Sequence, residues 1–240
     1  GTGTFITRLL QHESLIRGED LTRKYEQELH ANEIVLLAYY VAAVNIESAF
    51  RARNEGDGGD FPGVVLTDTF QMGEGRDMID REVLPENSAR VTEQSKQPIQ
   101  VIVGNPPYSI NQGGTSYDRL DQRIRDTYAH HSKSTNLNSL YDSYIRAFRW
   151  ASDRIGDRGV ITFVSSGGWV DGDATSGFRK CVQEDFSAVY VFHLRGNQRT
   201  AGELSRREGG KVFGEGSRAP VAITMLIKDP NHTGPATIRF

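Results

Sequence analysis

Cysteine is almost absent from this 240-residue chain, which contains only Cys181. A single cysteine cannot form an internal disulfide, and it excludes a zinc site built from several cysteines. The chain also lacks any run of about 18 apolar residues, the length that a membrane-spanning helix requires. It does not begin with the basic and then apolar segment of a secretion signal. We therefore expect a cytoplasmic protein with no membrane span.

An excess of basic charge is also missing, because 28 Lys and Arg residues face 31 Asp and Glu residues and the net charge is -3. Strong binding to DNA phosphates depends on clustered Lys and Arg, so only local basic patches could serve that purpose here. No Walker A loop occurs, which excludes a P-loop motor within this segment. His130 and His131 are adjacent but have no evident third ligand, so we predict no metal site.

Short apolar runs alternate with helical patterns along the chain. Strands are predicted at Val64–Leu66, Ile99–Val103, Gly159–Val164, Ala188–Leu194, Pro220–Ile227 and Ala236–Phe240. Apolar strands between helices indicate an α/β fold with a mostly parallel sheet that is covered on both faces. The stretch Ile34–Ala43 is apolar nearly all round, so we expect it to be buried. We treat residues 1–240 as one catalytic domain that is truncated at both ends.

The tetrapeptide Asn105-Pro106-Pro107-Tyr108 directly follows the predicted strand Ile99–Val103. Ligands of such sheets bind at the carboxyl ends of the strands. The side-chain carbonyl of Asn105 and the backbone carbonyl of Pro106 can both accept hydrogen bonds from an amino group on a planar ring. Proline makes the turn rigid, and an aromatic side chain can stack on a base flipped out of a duplex. The pattern favours methylation of adenine N6 by direct attack, helped by orientation and electrostatics.

Other readings of the tetrapeptide stay open at this point. Cytosine N4 and the side-chain amide of a protein glutamine are also planar amino groups, so the same residues suit their methylation. A Pro-Pro turn that merely ends a strand would belong to a non-catalytic structural or DNA-interaction module. A nucleotide-binding dehydrogenase is disfavoured by the tetrapeptide. Cys181 has no proline before it, unlike the usual nucleophile of cytosine-C5 methyltransferases, so we interpret it as a helix residue.

A nucleotide-like cofactor has three candidate contacts. Gly1-Thr2-Gly3 opens a helical pattern, and glycines there let the backbone approach a ligand closely. Glu28 is placed at the end of a second strand, where an acidic residue often holds ribose hydroxyls, although a surface carboxylate is an equal alternative. Asp68 follows the strand Val64–Leu66 and can accept from an adenine amino group, unless it only caps a helix.

The order of Gly1-Thr2-Gly3-Thr4-Phe5, Glu28, Asp68 and the tetrapeptide resembles that of the γ-group amino-methyltransferases. More narrowly, the chain resembles the methyltransferase part of single-polypeptide type ISP restriction-modification enzymes. The segments that carry this resemblance are Leu140–Ala147, Arg149–Arg154, Tyr190–Asn197, Gly210–Phe213 and Ala219–Thr224. The resemblance covers nearly the whole chain. The chain departs from the family in lacking the strand that precedes the first glycine.

The resemblance implies a Rossmann-like fold that uses S-adenosylmethionine and methylates adenine N6 in double-stranded DNA. It implies two sets of site residues: Asn105, Pro106, Pro107 and Tyr108 for catalysis, and Gly1, Thr2, Gly3, Phe5, Glu28 and Asp68 for the cofactor. Glu28 would hold the ribose, Asp68 the adenine, and the glycines would line the methionine end. A parent protein with nuclease, helicase-like translocase and target-recognition regions is also implied. Two groups of basic residues are candidates for contacts with DNA phosphates, although a mobile charged loop is an equal alternative for the second: Arg119, Arg123 and Arg125, and then Arg199, Arg206, Arg207, Lys211 and Arg218 of the loop 196–219.

Overall fold

The computed structural model describes residues 1–56, 58–75, 83–107, 116–197, 202–203, 206, 212 and 219–240. The chain divides into two compact units, Gly1–Gln97 and Pro98–Phe240. The single catalytic domain expected over residues 1–240 stays a prediction. None of the described helices is long and apolar enough to cross a membrane.

The first unit combines helices with a small two-stranded sheet. Its elements are α1 (Thr4–Gln11), α2 (Gly18–Arg23) with a following π-helical turn (Lys24–Glu28), β1 (Ala31–Glu33), α3 (Leu36–Arg53), β2 (Val64–Leu66), α4 (Thr69–Gly73) and α5 (Pro85–Lys96). β1 and β2 are parallel, with Glu33 opposite Leu66. Both strands therefore end at the same edge of the small sheet, and the loops that follow them begin side by side.

An aromatic contact holds the segment before β1 against α3. The ring of Tyr25, in the π-helical turn, stacks on Phe50 of α3 with ring centroids 3.7 Å apart. The Tyr25 hydroxyl donates to the carbonyl of Gly59 at 3.0 Å, so its polar end is satisfied although the ring is buried. Burying a side chain of this size contributes roughly 1.5–3 kcal/mol. This contact therefore helps to fix the position at which the chain enters β1.

The apolar stretch Ile34–Ala43 is more exposed than the sequence predicts. Within it only Ala42 is buried, whereas Leu37 is 73% exposed. The buried residues of α3 lie on one face, which α1 and β2 contact: Ala42, Ile46, Ala49 and Phe50. The expectation of all-round burial is therefore wrong. An apolar pattern gives a preference for burial, but it does not specify which elements will cover each face.

The second unit is built around a larger sheet. Its elements are β3 (Val101–Gly104), α6 (Asp118–Ile124) with a following π-helical turn (Arg125–Ala129), a 3-10 turn (Asn138–Tyr141), α7 (Ser143–Arg154), β4 (Gly159–Ser166), a second 3-10 turn (Gly167–Trp169), α8 (Ser176–Asp185), β5 (Ala188–His193), β6 (Val221–Lys228) and β7 (Thr237–Arg239). The strands lie in the order β3-β4-β6-β5-β7.

The direction of these strands confirms a mostly parallel α/β sheet. β3 is parallel to β4 and β5 is parallel to β7, while β6 runs antiparallel between β4 and β5. In the described part of the unit, β6 is thus the one strand that runs against the others. β3 and β4 end at the same edge of the sheet, after Gly104 and Ser166. We call this the carboxyl edge.

Helices α7 and α8 pack on the sheet through aromatic side chains. Phe148 of α7 lies between Phe163 of β4 and Phe178 of α8, with centroid distances of 5.1 and 5.3 Å. Trp169, in the turn that follows β4, contacts the ring of Phe178 edge-on at 5.2 Å. Edge-on aromatic pairs add roughly 0.5–1.5 kcal/mol beyond the area that they bury. This cluster holds the turn after β4 and the first turns of α8 as one rigid region.

Candidate active site

Asn105, Pro106 and Pro107 begin directly where β3 ends, at the carboxyl edge. Asn105 is exposed, and its side-chain amide has no hydrogen-bond partner among the described residues. Among the described residues, no backbone N–H donates to the carbonyl of Pro106. Within the described part of the chain, both carbonyl oxygens can therefore accept hydrogen bonds from a ligand. Tyr108, the fourth member of the predicted catalytic set, lies outside the described residues.

Gly1-Thr2-Gly3 leads into α1 in the first unit. Gly3 precedes the helix with φ 80°, a left-handed conformation that strongly favours glycine. A Cβ at Gly3 would lie 3.1 Å from the carbonyl oxygen of Ala42 and from the side chain of Ile46. The backbone carbonyl of Thr2 accepts a hydrogen bond from Asn45 at 3.0 Å. These contacts hold the loop against α3, and the backbone conformation together with the close approach favours glycine at its last position.

The acidic residue at the end of β1 is Glu33, not Glu28. Glu28 ends the π-helical turn, and its carboxylate pairs with Arg23 and, at 2.8 Å, with Lys24. The predicted position of Glu28 at a strand end is therefore wrong. The helical stretch continues to residue 28, so the strand begins later in the chain and spans Ala31–Glu33.

Glu33 has the surroundings that the sequence assigned to Glu28. Its side chain is buried, accepts a hydrogen bond from the backbone N–H of Val35 at 2.7 Å, and lies beside the backbone of Gly1. The structure thus brings an acidic strand end beside the glycine loop. The sequence signal that could have found Glu33 was its position directly before the apolar run that begins at Ile34.

Asp68 lies two residues after β2, at the same edge of the small sheet as Glu33. It is the N-cap of α4, and its carboxylate accepts from the backbone N–H of Phe70 at 2.9 Å. The capping alternative for Asp68 is therefore observed, and the cap fixes the orientation of the carboxylate at this edge. Phe5, in the first turn of α1, is 45% exposed.

A cavity of about 420 Å³ in the first unit lies away from these residues. It is lined by His30, Pro62 and Gly63, which precede β1 and β2, so it lies at the amino-terminal edge of the small sheet. None of the predicted cofactor residues lines it. Glu33 and Asp68 lie at the opposite edge of the small sheet.

Comparison with known proteins decides the family. The model of the Eco57I restriction-modification methylases matches residues 22–199, which is most of the chain. The chain belongs to this family. It is a methyltransferase module of restriction-modification enzymes, and the resemblance drawn from its motifs is confirmed. No curated protein sequence matches it significantly.

Three solved structures are similar to this Eco57I-family chain over nearly its full length. The first is a nuclease-deletion mutant of the Type ISP restriction-modification enzyme LlaGI with a DNA substrate mimic, at 44% identity and a TM-score of 0.92 over 100% of this chain. The ATP-dependent Type ISP enzyme LlaBIII bound to DNA has the same identity and TM-score over 99% of it. The DrdV–DNA complex has 37% identity and a TM-score of 0.89, also over 99%. The chain spans only 21%, 17% and 23% of these three proteins.

Two of the basic residues considered for DNA contact already have partners within this methylase module. Arg123 donates two hydrogen bonds to Asp153, at 2.9 and 3.1 Å. Arg119 also takes part in an interaction within the chain. Of the cations at 199, 206, 207, 211 and 218, only Arg206 is described.

In the described ranges, no three His, Cys, Asp or Glu side chains are grouped to hold a metal ion.

Cys181 of the methylase module is buried in α8. Burial raises the pKa of its thiol to about 11. A nucleophilic cysteine needs the opposite shift, because the thiolate is the reactive form. These surroundings favour a structural role for Cys181 and disfavour cytosine-C5 chemistry.

We expect Cys181 to resist thiol reagents in the native protein at pH 8. An unperturbed thiol has a pKa of about 8.5, so the raised pKa lowers the thiolate fraction at pH 8 by roughly two hundredfold. Labelling the full-length protein with iodoacetamide, with and without denaturant, and mapping the Cys181 peptide by mass spectrometry would measure this. Rapid modification of that peptide in the native protein would contradict the buried, protonated thiol.

Proposed function

We propose that this chain transfers a methyl group from S-adenosylmethionine to N6 of adenine in DNA. The observation that carries the proposal is the position of Asn105 and Pro106 in a chain of the methylase family. Both residues follow β3 at the carboxyl edge, with acceptor oxygens that no described residue uses. Adenine N6 is a poor nucleophile because its lone pair is delocalised into the ring. Acceptors that hold its two hydrogens favour the tetrahedral nitrogen that can attack.

Asn105 and Pro106 would orient the amino group and withdraw its hydrogens from the ring plane. The side chain of Asn105 would accept one N–H and the backbone carbonyl of Pro106 the other. Pro106 and Pro107 both restrict the backbone, so the two acceptors stay in place without a cost in conformational entropy during the reaction. Tyr108 is proposed to stack on the flipped base. No covalent enzyme intermediate is required, so no nucleophilic side chain is needed.

The residues at the edge of the small sheet fit S-adenosylmethionine, which supplies an electrophilic methyl group when bound. Glu33 offers a buried carboxylate beside Gly1, suited to the ribose hydroxyls. Gly1, Thr2 and Gly3 would line the methionine end, where the left-handed backbone of Gly3, with φ 80°, favours glycine. Asp68 is proposed to accept from the adenine amino group. Phe5, which is exposed on α1, is also proposed to contact the cofactor. Glu33 takes the ribose-binding role that the sequence gave to Glu28.

DNA is the proposed substrate, and other regions of a longer protein are the proposed partners. The three similar proteins were all solved with DNA or a DNA mimic, and each is several times longer than this chain. We propose that the full-length protein carries helicase-like, nuclease and target-recognition regions. The choice of sequence would reside in the recognition region, and this chain would supply the chemistry.

Product analysis of the full-length protein tests the proposal. The protein is incubated with isotopically labelled S-adenosylmethionine and unmethylated DNA, and the digested DNA is analysed by mass spectrometry. We expect N6-methyladenine as the labelled nucleoside. Label in N4-methylcytosine, or in a glutamine of a protein, would assign the same site to another planar amino group. No labelled product, with the cofactor still bound, would favour a non-catalytic module.

A further inference from the structure

An open cavity of about 750 Å³ lies in the second unit, between α8 and the chain that follows α6. We call it the basic cavity. Its charged and polar lining includes His131, Lys133, Asp173, Ser176, Arg179 and Lys180. Three of these side chains are cations and Asp173 is the one carboxylate among the lining residues. A local positive site thus exists in a chain whose net charge is -3.

The walls of the basic cavity are held together by direct contacts. The first turn of α8 packs against the end of the π-helical turn, and a Cβ at Gly177 would overlap the carbonyl oxygen of Tyr128. The hydroxyl of Ser132 donates to the carbonyl of Ala174 at 3.0 Å. The backbone N–H of Lys133 donates to the hydroxyl of Ser176 at 3.1 Å. The backbone around the cations is therefore preorganised.

The cations of the basic cavity retain donors for a ligand. Arg179 uses only Nη1, which donates to the carbonyls of Trp169 at 2.7 Å and Gly172 at 2.8 Å. In the described ranges, its Nε and Nη2 atoms have no partner and Lys133 has no carboxylate partner. Lys180 interacts with Nδ1 of His131 at 3.2 Å and is 3.8 Å from a carboxylate oxygen of Glu184. The amino-terminal end of α8 adds a favourable dipole for an anion.

The basic cavity lies at the same edge of the sheet as the proposed catalytic residues. β4 ends at Ser166, at the carboxyl edge, and the turn that contains Trp169 follows directly. Because Arg179 holds the carbonyl of Trp169, the cavity is tied to that edge. Asn105 leaves the neighbouring strand, β3, at the same edge. The cavity and Asn105 are thus both associated with the edge of the sheet at which β3 and β4 end.

We propose that the basic cavity binds a phosphodiester group of the DNA backbone through Lys133, Arg179 and Lys180. This proposal rests on DNA as the substrate of the proposed function. Phosphate contacts position a protein on DNA without reading sequence. In a chain with no overall positive charge, such contacts must come from a few local sites, and this cavity is an open, preorganised example.

The test is equilibrium binding of the full-length protein to a DNA duplex over a series of salt concentrations. The Lys133→Gln/Lys180→Gln double variant removes two charges and leaves Arg179 to hold the turn after β4. We expect the double variant to bind DNA roughly tenfold more weakly. In a plot of the logarithm of the binding constant against the logarithm of the salt concentration, its slope should be smaller in magnitude by about 1. Binding should weaken equally for specific and unrelated duplexes. Lys133→Arg with Lys180→Arg should restore binding.

Arg158→Gln is the matched control, because Arg158 is exposed and precedes β4 at the opposite edge of the sheet. If the double variant binds DNA with the affinity and salt slope of this control, the phosphate site is wrong. Inorganic phosphate provides a second arm, read by ³¹P line broadening. Phosphate binding that the double variant loses, with its DNA affinity unchanged, would assign the cavity to free phosphate and overturn the DNA contact.

The product assay keeps the two proposals distinguishable. If N6-methyladenine forms but the double variant binds DNA like the control, only the phosphate site fails. If no methylated nucleoside forms but the double variant loses affinity and salt slope, the phosphate site stands and the proposed reaction fails.

Discussion

Replacing Asn105 with alanine is expected to lower the rate of methyl transfer by at least about a hundredfold and to leave the affinity for S-adenosylmethionine unchanged. Removing one preorganised hydrogen-bonding group from an active site costs about 10²–10³ in rate. Asn105 is exposed and its amide contacts no described residue, so the fold should tolerate the change. Transfer would be measured as N6-methyladenine formed by the full-length protein, and cofactor affinity by calorimetry.

Two variants sharpen the test of Asn105. Asn105→Asp keeps an acceptor oxygen at the position and should retain more activity than Asn105→Ala. Asn231→Ala removes the same side chain from an exposed turn and should behave like the wild type. Loss of cofactor binding together with transfer in Asn105→Ala would refute its role in orienting the amino group, and undiminished transfer would refute it too.

Glu33→Gln is expected to weaken binding of S-adenosylmethionine roughly ten- to a hundredfold. Hydrogen bonds to a charged group contribute about 1.5–3 kcal/mol, and the amide keeps one acceptor for the N–H of Val35 while losing the carboxylate. The shape of the side chain is preserved, so a change in affinity should not reflect unfolding. Calorimetric titration of the full-length protein measures the affinity, and its melting temperature checks the fold.

Glu28→Gln is the matched control for Glu33→Gln, because both remove one carboxylate from the same short region. The Glu28 side chain is 41% exposed and pairs with Arg23 and Lys24. Exposed ion pairs contribute about 0–1 kcal/mol, so its loss should leave cofactor affinity unaltered. Weaker binding in Glu28→Gln with normal binding in Glu33→Gln would restore the position predicted from sequence.

The position of Asn105 directly after β3 could be predicted from the sequence, whereas the end of β1 could not. An apolar strand runs straight into Asn105, so the strand and its carboxyl end are both visible in the pattern. β1 has only three residues, and Glu33 is buried although its type favours the surface. A strand this short has no alternation to detect, and the helical pattern before it continues through a π-helical turn to Glu28.

Sequence patterns also predicted the α/β class and the mostly parallel sheet, because these depend on the spacing of apolar runs. The order of strands was not predictable in the same way. Which strand lies beside which depends on pairings between residues far apart in the chain, as for β4 with β6. The prediction that Ile34–Ala43 is buried was wrong for a related reason. Burial of this stretch depends on elements from other parts of the sequence, which its own apolar pattern does not specify.

The position of β6 has a consequence for the order in which the second unit can assemble. β4 and β5 are consecutive strands joined by α8, yet β6 lies between them in the sheet. On an emerging polypeptide, β4 can pair with β3 early, but its other side has to wait until Val221–Lys228 has been synthesised. Closing that long connection costs entropy before the pairing stabilises the sheet. Until β6 has been synthesised, the nascent chain therefore has one unpaired edge on β4. During that time a chaperone or a neighbouring chain could bind to this edge.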